Sequence, residues 1–221
     1  MESHSKRQGT DGMIRGDRKD SNRMEIYILR HGETDWNREK RFQGQINTSL
    51  NMAGFRQAQQ CHKMVERLGL SFDRVYSSPL CRAMETTETV SLLSGDRIIK
   101  DPRLMEMDFG AIDGTPFDRD SAAAGLLFKD PDRYVPQGGG ETFPQLLSRL
   151  QSFYEDLKKT EDKSVLIGSH GCAIRCMLVS FGYLKLSEIW QMHIPNCTII
   201  HVELRKDGTC CVKNFYEIGK S

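Results

Sequence analysis

The spacing of hydrophobic and polar positions changes period several times along the chain, and each change marks an element. Ile26, Tyr27, Ile28 and Leu29 form a short apolar run of β character that stops at Arg30-His31-Gly32-Glu33-Thr34, where Gly32 lets the backbone turn sharply or approach a ligand closely. Met52, Phe55, Ala58, Cys61, Met64, Val65 and Leu68 then recur at helical spacing behind Asn51, a capping residue, and Gly69 closes the pattern. Phe72 to Tyr76 reads as a second strand ending in Ser77-Ser78-Pro79. Serine followed by proline predicts a helix start, so a helix from Pro79 to about Leu93 carries Arg82 in its first turn. Arg97 to Lys100 reads as another short strand.

Farther along, Glu141 and Thr142 open a helix through about Lys159, with Phe143, Leu146, Leu147, Leu150, Phe153, Tyr154 and Leu157 on its apolar stripe. Ser164 to Gly168 is a continuous apolar run of the kind found in central strands, and it ends in Ser169-His170-Gly171 before a helical pattern. Cys197 to Leu204 and Thr209 to Tyr216 alternate around Lys206-Asp207-Gly208, which signals a hairpin. Strands alternating with helices predict a three-layer α/β/α sandwich whose mostly parallel sheet carries an antiparallel C-terminal hairpin. Residues 24–221 are expected to form one domain. Residues 1–23 hold only Met1, Met13 and Ile14 as hydrophobic residues and are expected to be a disordered tail. Between residues 115 and 140, helical patches lead to Gly138-Gly139-Gly140, a flexible stretch suited to a lid.

Composition narrows the function classes. A net charge of +1 gives no overall field for nucleic acid or an anionic membrane, so any anion binding has to be local. No apolar run approaches the roughly 20 residues of a spanning helix. Seven cysteines without a Cys-x-x-Cys pair argue against a disulfide framework or structural zinc and favour a reducing cytoplasm.

The candidate chemistry lies where strands end. Strands of an α/β sheet deliver functional groups at their carboxyl ends. Here those ends present Arg30-His31, Arg82 and His170, with Glu106 on a loop between apolar neighbours. Phosphoryl transfer asks for such a set. Two arginines grip the equatorial oxygens with bidentate hydrogen bonds, and one histidine can be the nucleophile while the other holds an oxygen. A neutral Glu106 can protonate the leaving alkoxide and then act as base on water. Glu33 and Thr34 read as supports rather than reacting groups. Arg38, Lys40 and Arg41 read equally well as substrate contacts or a solvated face. His4, His62, His193 and His201 read as ordinary histidines, and Cys172 as a small buried residue.

Arg30-His31-Gly32-Glu33-Thr34 with Asn37, Ser77-Ser78-Pro79-Leu80-x-Arg82-Ala83-x-Glu85-Thr86, Glu106-Met107-Asp108-Phe109-Gly110 and His170-Gly171 together resemble the histidine phosphatase superfamily, in its phosphoglycerate-mutase-like branch. The resemblance spans about residues 24–216. It implies that His31 is the phosphoacceptor, that Arg30, Asn37, Arg82 and His170 form the phosphate pocket, and that Glu106 is the proton donor. Gln43 and Gly44 match a loop on the substrate side, where Thr34 is also grouped. It further implies no metal or cofactor, with a small phosphate ester as substrate and inorganic phosphate as product.

Mutases of this branch have tyrosine where Phe109 stands, asparagine where Cys172 stands, and a long basic insertion where only 26 residues separate Gly114 from Glu141. These departures favour hydrolysis. The alternatives are a 2,3-bisphosphoglycerate-dependent mutase, a protein phosphatase and a non-catalytic phospho-ligand binding domain. An edge at the hairpin leaves a homodimer open.

Overall fold

The computed structural model describes residues 23–121 and 124–220. Six strands form one sheet: β1 (Arg23–Arg30), β2 (Arg74–Ser77), β3 (Ile99–Lys100), β4 (Ser164–Ser169), β5 (Ile199–Arg205) and β6 (Cys210–Tyr216), in the spatial order β3-β2-β4-β1-β5-β6. β3, β2, β4 and β1 run parallel; β5 lies antiparallel to β1, and β6 antiparallel to β5. The expected sheet is therefore present, with the hairpin forming its C-terminal side. Arg23 belongs to β1 rather than to the N-terminal tail, and the rest of that tail lies outside the described residues.

Side-chain alternation along β1 divides the core into two layers. Ile26 and Ile28 join Val165 and Ile167 under α5 (Phe143–Leu157) and α6 (Gly171–Ser180). Tyr27 and Leu29 face the other way, with Leu166, under α2 (Met52–Arg67) and α3 (Cys81–Ser91). α5 is set by its sequence: Thr142 and Gln145 form a reciprocal capping box, Pro144 occupies the first turn, and every residue of the expected stripe except the half-buried Leu147 is buried. Asn51 caps α2 as expected, its side chain accepting from the Gly54 N–H at 2.9 Å. Met52, Phe55 and Leu68 of the expected α2 stripe are exposed instead, because only the middle of the helix lies over the sheet.

Three local expectations change. The helix after β2 begins at Cys81, and Ser78 does not cap it: its hydroxyl accepts from Leu80 N–H at 3.3 Å, ahead of the helix, and also meets His170 Nε2. Gly32 serves close packing rather than a sharp turn: a Cβ there would lie 2.7 Å from the Gly54 carbonyl of α2. The stretch Gly138-Gly139-Gly140 is pinned, not a lid. Ala111 N–H donates to Gln137 O at 2.9 Å and Glu141 N–H to Asp108 O at 2.7 Å. The cavity is instead covered by Phe117 and Arg119, which precede the short α4 (Gly125–Lys129). Among the described residues no helix is long and apolar enough to cross a membrane.

Candidate active site

The parallel register fixes what meets what. Arg30 pairs with Ser169, and Ser77 with Gly168. The next residues stay in step: His31 N–H donates to Ser169 O at 3.1 Å and Ser78 N–H to Gly168 O at 2.9 Å. His31, Ser78 and His170 therefore emerge side by side from β1, β2 and β4, and the two imidazole rings lie 5.2 Å apart between centroids.

His31 is buried, and its Nδ1 lies 2.7 Å from its own neighbour's carbonyl, Gly32 O. A carbonyl only accepts, so Nδ1 carries the hydrogen and Nε2 keeps its lone pair when the ring is neutral. Burial, and then the charges of Arg82 and Arg30, hold the His31 pKa well below the usual histidine value against the opposing Gly32 bond. His170 is likewise depressed, first by burial and then by Arg82. Its Nε2 lies 2.7 Å from Ser78 Oγ. Where that hydroxyl donates, His170 Nδ1 bears the N–H.

Arg82 is fully buried at the second position of α3. It makes no ion pair with Glu85, which accepts from Leu50 N–H. Arg82 Nη2 donates to Gly44 O at 2.7 Å and Nη1 to Ile46 O at 2.9 Å. Arg30 donates to Ile194 O. Burial lowers the pKa of each guanidinium to about 10, which leaves both charged at neutral pH. Arg30 Nε, Arg82 Nε and His170 Nδ1 are buried without a protein partner. Buried donors are ordinarily satisfied, so three of them around one histidine mark a place for oxygen ligands.

Glu106 is buried, and its carboxyl is held by three backbone N–H groups: Oε1 accepts from Met107 and Ala173, and Oε2 from Cys172, all at 2.9 Å. Oε2 has the single partner and so keeps a lone pair for a proton. Arg149, from α5, fixes the loop that carries Glu106. Its five N–H donors reach the carbonyls of Arg103, Met105 and Glu106 and both oxygens of Glu141.

A cavity of about 300 Å³ opens above these groups, lined by Arg30, His31, Asn37, Gln43 and Glu106 among the expected residues. Thr34 and Gly44 sit behind it. Thr34 caps the short α1 (Asp35–Arg38) and donates to Gln43 Oε1 at 3.1 Å, while a Cβ on Gly44 would collide with the Asp113 carboxylate. Asn37 accepts from Thr34 N–H at 3.2 Å and lies 3.4 Å from Asn196 Nδ2, which also donates to His31 O at 2.8 Å.

Arg175, Trp190, Phe117, Arg119 and His193 also line the cavity, and sequence reasoning missed them. The signal for Arg175 was present: once His170-Gly171 starts a helix, position 175 lies one turn along it. His193, read as an ordinary histidine, reaches the mouth from the loop before Ile194. Cys172 lines the cavity as a buried thiol. Burial, and then its bond to Cys176, push its pKa well above the usual cysteine value, so it is no thiolate nucleophile.

The model of the histidine phosphatase superfamily (branch 1) matches residues 26–215. The chain belongs to this superfamily. A probable phosphoglycerate mutase GpmB of Proteus mirabilis is 32% identical over 186 residues, covering 81% of this chain and 85% of that protein. A putative phosphoserine phosphatase 2 of Hydrogenobacter thermophilus is 33% identical over 190 residues, covering 82% and 91%. Among solved structures, Bacillus stearothermophilus YhfR is similar at a TM-score of 0.75 and 30% identity, covering 86% of this chain and 95% of that one. Relatives of this histidine phosphatase thus carry both phosphatase and mutase names.

The buried neutral histidines carry a pH signature. The unfolded chain binds protons at both positions below the ordinary value of about 6.5, while the folded chain does not, so folding weakens as pH falls through that value. The expected slope is about 1.4 kcal/mol per pH unit for each histidine. Urea titrations of wild type and His170→Asn between pH 7 and 5 check this: the variant should lose stability less steeply, and equal slopes would contradict it.

Proposed function

We propose that the protein is a phosphomonoester hydrolase that works through a phosphohistidine at His31. The observation that carries this reading is the orientation of His31, whose Nδ1–H is held by Gly32 O beside the unpartnered donors of Arg30, Arg82 and His170.

In the first step His31 Nε2 bonds to phosphorus as the phosphorus–oxygen bond to the leaving group breaks. Glu106 delivers a proton to the departing oxygen. Arg30, Arg82 and His170 hold the three equatorial oxygens, where charge is spread in the transition state. Water then attacks phosphorus, Glu106 takes its proton, the phosphorus–nitrogen bond breaks, and inorganic phosphate leaves. The guanidinium groups supply the positive charge this chemistry needs. Activity on an aryl phosphate should therefore survive EDTA, and loss restored by zinc or magnesium would contradict the mechanism.

The names of the GpmB relatives favour a second reading, phosphoglycerate mutase. Incubation with 3-phosphoglycerate, with and without its bisphosphate, separates the two. Free phosphate supports hydrolysis; bisphosphate-dependent isomerisation without phosphate release supports the mutase.

A further inference from the structure

The cavity holds more positive charge than a phosphate monoester uses. Arg30 and Arg82 answer the phosphoryl group, yet Lys40, Arg119 and Arg175 also line the same cavity or its mouth, and Glu106 is its one acid among the described residues. Arg41 is neutralised by Glu39 at 2.7 Å. Arg175 spends three donors on the carbonyls of Gly171 and Met192. Arg119 has neither a carboxylate nor a carbonyl partner among the described residues.

Arg119 instead sits over a wall of aromatic rings. Its guanidinium carbon is 5.2 Å from the Phe128 ring centre and 6.0 Å from that of Phe117. The wall is continuous: Phe42 to Phe117 is 4.8 Å, Phe117 to Phe128 is 5.1 Å and Phe128 to Trp190 is 4.9 Å. A cation–π contact consumes no N–H donor, so the guanidinium keeps its hydrogen-bonding capacity for a planar carboxylate. Phe117 and Trp190, with Phe42 buried behind Phe117, present apolar surface to whatever is attached to the phosphate.

We propose that the substrate is a phosphate monoester whose leaving group joins a flat apolar body to a carboxylate, the body lying against Phe117 and Trp190 and the carboxylate meeting Arg119. This rests on the phosphatase reading and names the class of ester it serves.

Three phosphates of primary alcohols test it, because their leaving groups differ little in basicity: 4-carboxybenzyl phosphate, 4-methylbenzyl phosphate and 3-phosphoglycerate. One guanidinium–carboxylate contact should give the carboxybenzyl ester a kcat/KM about tenfold above the methylbenzyl ester. It should also exceed 3-phosphoglycerate, which has the carboxylate without the ring. Arg119→Met keeps the stem on the rings and removes the charge, and should bring the carboxybenzyl-to-methylbenzyl ratio close to one; Arg119→Glu should invert it. Equal rates for the two benzyl esters, a preference that survives both substitutions, or faster turnover of 3-phosphoglycerate would overturn the inference. Failure of all three esters while an aryl phosphate is hydrolysed overturns it alone. If the aryl phosphate is inert as well, the phosphatase reading falls with it.

Discussion

Replacing His31 by alanine is expected to lower kcat by about four orders of magnitude or more, since loss of the group that accepts the phosphoryl leaves only binding and charge stabilisation. The fold should persist. His31 lies at the end of β1, and its pairing with β4 runs through its backbone N–H, which alanine retains. Removing a buried imidazole that must stay neutral also relieves the cost of keeping it uncharged below the ordinary histidine pKa, which offsets part of the packing and of the Gly32 bond lost with it. Circular dichroism melting together with kinetics separates the two effects. A variant that melts normally yet keeps even a tenth of the activity would place the nucleophile elsewhere.

Glu106→Gln is expected to act selectively. General acid catalysis contributes about 10²–10⁴-fold, and its share grows with the basicity of the leaving oxygen. Alkyl phosphates should therefore slow by about that factor, while an aryl phosphate, whose phenolate leaves readily, slows by less than about tenfold. The amide can keep the bonds from Met107 and Ala173 through its oxygen. Its NH2 then faces the Cys172 N–H, which accounts for the residual loss on the aryl ester. Equal slowing of both ester types would remove Glu106 as the acid and leave it a structural tether of α6.

Residues that lie next to a strand end were legible in the sequence because the hydrophobic period changes there. Arg30 ends β1, His31 and His170 follow β1 and β4 directly, and the structure places the two histidines together. Arg82 was legible from its place near the start of a helix, although that helix begins two residues later than expected. The Ser78 hydroxyl accepts from Leu80 N–H, short of the helix, and also meets a histidine 92 positions away, a partner that no local pattern reports. Gly32 was legible as special, but its reason, the approach of Gly54, depends on how α2 crosses β1.

Arg119, Trp190 and His193, which line the cavity, were not legible. They come from irregular segments whose return to the cavity depends on tertiary packing rather than on periodicity. No local pattern marks Arg149 on α5, and only the loop folded over it shows why its five donors matter. The glycine stretch 138–140 misled for the same reason. Local composition reports freedom of the backbone, whereas the contacts with residues 108–111 remove it.

The central claim is that phosphate passes through His31. Wild-type enzyme mixed with 32P-labelled aryl phosphate and quenched in alkali within milliseconds should carry label that is stable to base, labile to acid, and located on the peptide containing His31. Label that is absent from His31, or that appears unchanged in His31→Ala, would contradict it.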